Sequence, residues 1–211
     1  ASGVGGGPGP TARPDLYLEY QVDGRQPVDV VVVGEGEETF LELLPRLLDD
    51  GADLSGIDGL AFRDEGEIIV TPARPLRQDI DSLSLPARDL LDVEQYRAAW
   101  RDHHGFFSLS LIATRGCPYS CTWCQKSVFG CSFRPRSAER VAEEMGQIKA
   151  RYAPDQIRIV DDVMGIQRKW VRAFRDAVVA HDAVIPFECL SRVDLIDEAL
   201  TVSSFRELTS P

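Results

Sequence analysis

Hydrophobic positions recur along the chain in two rhythms, one fitting strands and one fitting helices. Val28-Asp29-Val30-Val31-Val32-Val33 is a near-continuous β-branched run, the pattern of a strand covered on both faces. It ends at Gly34-Glu35-Gly36-Glu37-Glu38-Thr39, after which Phe40, Leu43, Leu44, Leu47 and Leu48 return at helical spacing. Glu37 and Glu38 fall in the first turn of that helix, where carboxylates suit the helix dipole. Pro45 conflicts with the pattern, because an interior proline removes a hydrogen bond and costs about 3 kcal/mol, so a kink or early stop is expected. Leu60-Ala61-Phe62-Arg63 and Glu67-Ile68-Ile69-Val70, around Asp64-Glu65-Gly66, predict a β-hairpin. Residues 71–91 contain Pro72, Pro75 and Pro86 with little periodicity and read as an extended linker.

The second half alternates strand with helix. Phe107 to Thr114 alternates like a strand. Ser137 can N-cap a helix whose apolar face is Val141, Met145, Ile148 and Tyr152. Ile157-Arg158-Ile159-Val160 reads as a strand ending in Asp161-Asp162. Trp170, Phe174, Ala177, Val178 and His181 mark one face of another helix. Ile185 to Leu190 predicts a third strand, and 194–208 a further helix. This spacing implies βαβ units and a parallel sheet, hence an α/β fold. His103-His104, ahead of the first of these strands, reads as a solvated turn.

Length adds a prior of one to two domains for 211 residues. Apolar and charged fractions of 44% and 27% are ordinary for a globular chain. With 23 Lys and Arg against 34 Asp and Glu, the net charge is -11, which repels a phosphate backbone and makes nucleic acid an unfavoured partner. No apolar run reaches transmembrane length. The glycine-rich opening, Ala1 to Pro10, has no start methionine or signal pattern. It reads as a linker or tag scar, or as the middle of a longer protein. Three of the five cysteines fall within eight residues, poor spacing for a disulfide framework, so a reducing, cytoplasmic setting with metal-binding thiolates is expected.

The segment Cys117-Pro118-Tyr119-Ser120-Cys121-Thr122-Trp123-Cys124 is the most informative one. Three thiolates at spacings of four and three residues can converge on one metal centre. A cubic [4Fe–4S] cluster usually takes four cysteines, so three leave one iron open to an exogenous ligand. A structural zinc site remains an alternative and needs a fourth ligand from Cys131, His103 or His104. An electron-transfer cluster closed by Cys131 is another. Cys131 and Cys189 otherwise read as packing thiols.

The order Cys-x3-Cys-x2-Cys, with an aromatic residue before the third Cys, resembles the signature of the radical S-adenosylmethionine (SAM) enzymes. The resemblance implies a [4Fe–4S] cluster on Cys117, Cys121 and Cys124. SAM then chelates the fourth iron and is cleaved by one electron to methionine and a 5′-deoxyadenosyl radical. It also implies Trp123 near the adenine, the alternative being a packing aromatic. Asp161-Asp162 resembles the paired Asp of the cobalamin-linked branch, at the carboxyl edge where α/β sheets place ligands; a carboxylate there suits the SAM ammonium. Helix-capping aspartates are the bland alternative. Ser191-Arg192 is similar to the family's Arg at the end of the third strand, where Arg192 would fork a carboxylate or form a surface ion pair. Upstream, Gly34 to Thr39 and Leu83 to Asp92 resemble the same branch. Gly6-Gly7-Pro8 resembles a glycine pair that admits the cofactor's nucleotide tail, against the reading of a flexible linker.

The implied architecture is the C-terminal part of a Rossmann-like cobalamin-binding domain with hairpin (1–70), a linker (71–105), and the N-terminal part of a partial (β/α)6 radical SAM barrel (106–211). No Asp-x-His-x-x-Gly segment supplies an axial histidine, since the histidines are His103, His104 and His181. The chain therefore reads as an internal piece of a longer enzyme, with broad melting expected of it alone. The implied activity is reductive SAM cleavage for C-methylation or cyclisation of a small molecule, lipid or tetrapyrrole. Flavodoxin or ferredoxin would be the electron donor, and cobalamin would be bound by the full-length protein. The competing readings are a methylthiotransferase on RNA or protein, and a non-catalytic iron–sulfur or zinc module.

Overall fold

The computed structural model describes residues 3–49 and 52–196, which divide into two compact units. Among them, one unit comprises the residues up to 77 with 118–132, the other 78–117 with 133–196.

The first unit carries a four-stranded sheet: β1 (Val4–Gly5), β2 (Val30–Val32), β3 (Leu60–Asp64) and β4 (Glu67–Val70), in that spatial order. β1 and β2 are parallel and the other neighbours antiparallel. The valine run is a central strand. Val30 and Val32 pack with Leu43, Ile57, Leu60 and Phe62. Val31 packs with Leu18 and Ala61 in a separate cluster. In the β3–β4 hairpin Asp64 pairs with Glu67. Glu65 and Gly66 both take positive φ (45° and 89°), as a two-residue type I′ turn requires.

Between β1 and β2 lie two short helices, α1 (Pro8–Ala12) and α2 (Pro14–Glu19), which hydropathy alone did not predict. Each has proline at its start, where the missing N–H costs nothing. The glycine-rich opening is thus a strand and a helix turn, and the linker reading of residues 3–12 is corrected. Helix α3 (Glu37–Leu47) follows β2 and contains Pro45, so the early stop expected at that proline is corrected: the helix carries on two residues further, nearly to the end of its apolar stripe.

The second unit is built on a parallel sheet in sequential order: β5 (Ser108–Leu111), β8 (Gln156–Ile159) and β9 (Phe187–Cys189). The expected first strand breaks after Leu111 and resumes as β6 (Thr114–Arg115), which pairs antiparallel with β7 (Arg134–Pro135). Helix α5 (Ala138–Tyr152) begins where the Ser137 Oγ accepts from the Arg140 amide at 3.1 Å. It buries Val141, Met145 and Ile148 against β5, β8 and helix α6 (Arg168–Ala180), which contributes Phe174, Ala177 and Val178.

Two expectations need correction. His103 and His104 are solvent-exposed but not in a turn: they end a helix, α4 (Val93–His104), and the His104 ring lies 4.4 Å from that of Trp100. The start of the expected last helix is instead a 3-10 turn at Val193–Leu195, and residues 197–208 lie outside the described residues.

Candidate functional site

The carboxyl edge of the parallel sheet is organised by side chains. Past the end of β5 the backbone leaves the sheet, and the β6–β7 ribbon closes the base of the segment that carries the cysteines. The Arg136 amide donates to the Ala113 carbonyl at 2.9 Å and extends that closure by one rung. Gly116, at φ 78°, then turns the chain into Cys117, which is 8% exposed.

Asp161, 2% exposed, lies just past β8. Its Oδ1 accepts from the Ala113 and Thr114 amides at 2.8 and 3.0 Å, and its Oδ2 from the Thr114 hydroxyl at 2.8 Å. Burial raises its pKa against the lowering effect of these three bonds. Asp162 beside it is exposed. The following turn is tied to the next strand: the Met164 amide donates to the Leu190 carbonyl, and the Ser191 hydroxyl to the Met164 carbonyl, each at 2.7 Å. Ser191 therefore shapes the turn that presents Asp162. Arg192 forks the Asp194 carboxylate at 3.0 and 3.2 Å, the surface ion pair foreseen as its alternative. Glu188 is exposed and faces Arg158 across the β8–β9 pair at 3.3 Å. Cys189 is half-buried, with its thiol pushed up to about 11, chiefly by burial.

Residues 118–132 belong to the first unit. Cys121 and Cys124 are exposed free thiols joined by one turn, the Cys124 amide donating to the Cys121 carbonyl at 3.2 Å. Trp123, in the same turn, is 87% exposed, so the packing-aromatic reading is corrected. Lys126 donates to the Tyr119 carbonyl and lies 3.4 Å from the Cys131 sulfur. Cys131 is exposed rather than packed, contrary to expectation. Gln125 Nε2 and Ser127 Oγ donate to the Pro8 carbonyl at 3.2 and 2.9 Å. Lys126, Gln125 and Ser127 went unnoticed in the sequence, because a loop's side-chain bonds carry no periodicity.

Pro8 follows Gly6-Gly7 at the end of β1, beside the turn that leaves β2. The Gly34 amide donates to the Thr11 hydroxyl at 3.1 Å, joining the two turns. Gly7 has φ 101°, and no atom stands within 4 Å of the place where a Cβ would project. The nearest atom to such a Cβ on Gly6 is 3.9 Å away. This opening at the ends of two parallel strands suits close backbone approach by a nucleotide tail. The histidines all lie in the second unit, so the first has no imidazole for an axial bond.

Among the described residues no three His, Cys, Asp or Glu side chains converge as a metal site. The donor set nevertheless fits an iron–sulfur cluster: Cys117, Cys121 and Cys124 are all free thiols, two of them in a turn open to solvent. Order in such a loop commonly comes with the metal, because thiolates repel one another until a cation bridges them.

No protein-family model matches the chain. Curated relatives do. An uncharacterised methyltransferase, PH0819, of Pyrococcus horikoshii is 34% identical over 196 residues, covering 92% of this chain and 40% of that protein. The cobalamin-dependent radical SAM methyltransferase TokK of Streptomyces tokunonensis is 34% identical over 182 residues, covering 84% of this chain and 24% of its own. The chain belongs to the B12-binding radical SAM family. Solved structures share the fold of this family member. The cobalamin-dependent radical SAM enzyme OxsB with aqua-cobalamin bound has a TM-score of 0.70 at 22% identity, over 90% of this chain and 26% of that one. The radical SAM methyltransferase TsrM of Kitasatospora setae, with cobalamin and a [4Fe–4S] cluster bound, has a TM-score of 0.61 at 22% identity, over 85% and 34%. The family member described here spans less than half the length of these relatives.

Proposed function

We propose that the protein is a radical SAM enzyme that uses a [4Fe–4S] cluster, SAM and, in the full-length protein, cobalamin to methylate carbon in a small molecule. The single observation that carries this reading is the Cys117-Cys121-Cys124 segment, which leaves the first strand of a parallel sheet at its carboxyl edge. When bound, the cluster supplies the electron that cleaves SAM. The protein's own part is placement. Cys117, Cys121 and Cys124 would hold three irons. Exposed Asp162, on a turn held by Ser191, offers a carboxylate to an ammonium group. Trp123, open to solvent, offers an aromatic face to an adenine. Arg192 is less suited to a carboxylate from outside, since Asp194 already occupies its fork.

In this reading residues 1–70 form the end of a B12-binding domain, 71–105 a link and 106–211 the start of the barrel. Gly6 and Gly7 would admit the cobalamin tail. A small one-electron carrier such as flavodoxin or ferredoxin would be the donor.

Anaerobic reconstitution with iron and sulfide is expected to yield a brown protein with about four irons per chain. SAM is expected to perturb its cluster spectrum. Alanine at Cys117, Cys121 or Cys124 abolishes the iron, whereas alanine at Cys131 or Cys189 leaves it unchanged. A colourless protein, one zinc per chain, or loss of iron in the Cys131 variant overturns the proposal.

A further inference from the structure

We infer that Asp161 is a positioning residue, holding the strand-end neck from which Cys117 projects, and not a direct contact to the SAM ammonium. The inference rests on the reading of Cys117 as a cluster ligand.

The geometry is specific. The parallel ladder of β5 and β8 ends with the Val160 amide donating to the Leu111 carbonyl at 2.9 Å. Beyond that point the β5 backbone leaves the ladder, and the amides of Ala113 and Thr114 turn to a side chain instead. The Asp161 carboxylate takes both of them, together with the Thr114 hydroxyl. It acts as one more rung, supplied by a side chain. Thr114 is in turn the first residue of β6, with Pro135 as its register partner. The amides at the start of the neck find their acceptors on the Asp161 side. Cys117 lies three residues beyond Thr114. With three donors on two oxygens and 2% exposure, Asp161 has little room for an outside ammonium. Asp162 is exposed and has that room.

Two variants separate positioning from charge. Asp161→Asn keeps an acceptor for both amides but removes the charge, and Asp161→Ala removes both. In the metal-free protein, mass-mapped alkylation of Cys117 is expected to be about tenfold faster in the alanine variant, the size of effect that follows loss of hydrogen bonds from a buried neck. Hydrogen exchange in residues 112–117 should accelerate with it, while residues 168–180 in α6 stay protected. The asparagine variant should keep near wild-type alkylation, iron content and spectral response to SAM.

If both variants lose the response to SAM while Cys117 reactivity stays at the wild-type level, Asp161 touches SAM and the inference falls. Should the alanine variant fail to fold, the asparagine variant still decides, since a charge contact predicts loss of the SAM response there. If the wild-type protein holds no cluster, the proposed function fails separately. The alkylation and exchange measurements need no cluster and still test the neck.

Discussion

At the residue scale, Glu144 is a buried charge of the second unit, on the inner face of α5 and 2% exposed. It lies 2.7 Å from Arg88 and 2.6 Å from Arg136. The same guanidinium groups donate to the carbonyls of Ser110 and Ile112 at 3.0 and 2.8 Å, so one carboxylate fastens the chain before and after the cysteine segment to the end of β5. Replacing one partner leaves buried cations uncompensated, and Glu144→Ala should cost about 3 kcal/mol, read as a fall in denaturant midpoint at unchanged slope. A change under about 0.5 kcal/mol would show the network to be solvated. In the first unit the Gly34-Glu35-Gly36-Glu37-Glu38 turn acts as a latch. Glu38 pairs with Arg74 and Arg77, Glu42 lies 2.9 Å from Arg74, and Glu35 accepts from the Arg77 amide at 3.1 Å. Its sequence signal was legible, but its partners were not, because they lie some forty residues away.

At the element scale, caps account for what periodicity missed. Helix α4 carries few apolar residues. It is delimited by Asp92, whose Oδ1 accepts from the Gln95 amide at 2.9 Å, and by Gly105 at φ 78°. Those two end signals were present in the sequence and outweigh its weak hydrophobic stripe. Helix α5 was legible from Ser137 onward, and Ser137→Ala should lower stability by about 1 kcal/mol in thermal or chemical unfolding. The N-terminal end of β5 is capped by Asp155, which accepts from the Phe107 amide at 2.7 Å and faces Arg101 at 3.0 Å. These bonds hold its pKa below the usual carboxylate value, the amide contributing most. A depressed carboxylate contributes stability above its unfolded pKa, near 3.9, and loses it as pH falls through the lower folded value. The stability difference between wild type and Asp155→Asn should therefore be constant near neutrality and close at strongly acid pH. A difference that persists undiminished below both values would remove the ionic explanation.

At the scale of the whole molecule, each unit has its own core: Val30, Leu43, Leu60 and Phe62 in one, Met145, Ile148, Ile159 and Phe174 in the other. Unfolding should accordingly depart from a single transition. Trp100 and Trp170 report on the second unit, while Trp123 is already 87% exposed and reports little. Tryptophan fluorescence and far-UV circular dichroism should then give separate midpoints, and superimposable curves would mean that the units melt as one. No helix among the described residues is long and apolar enough to cross a membrane. The sequence by itself determined the elements with strong periodicity, the parallel order they imply and the cysteine spacing, because each is a local pattern of solvation or valence. Tertiary structure alone decided what those residues face. Asp161 spends its carboxylate on the neck before Cys117, Arg192 spends its fork on Asp194, and Trp123 stands in solvent. Such pairings depend on which strand ends meet across the sheet, and no local pattern along the chain records that.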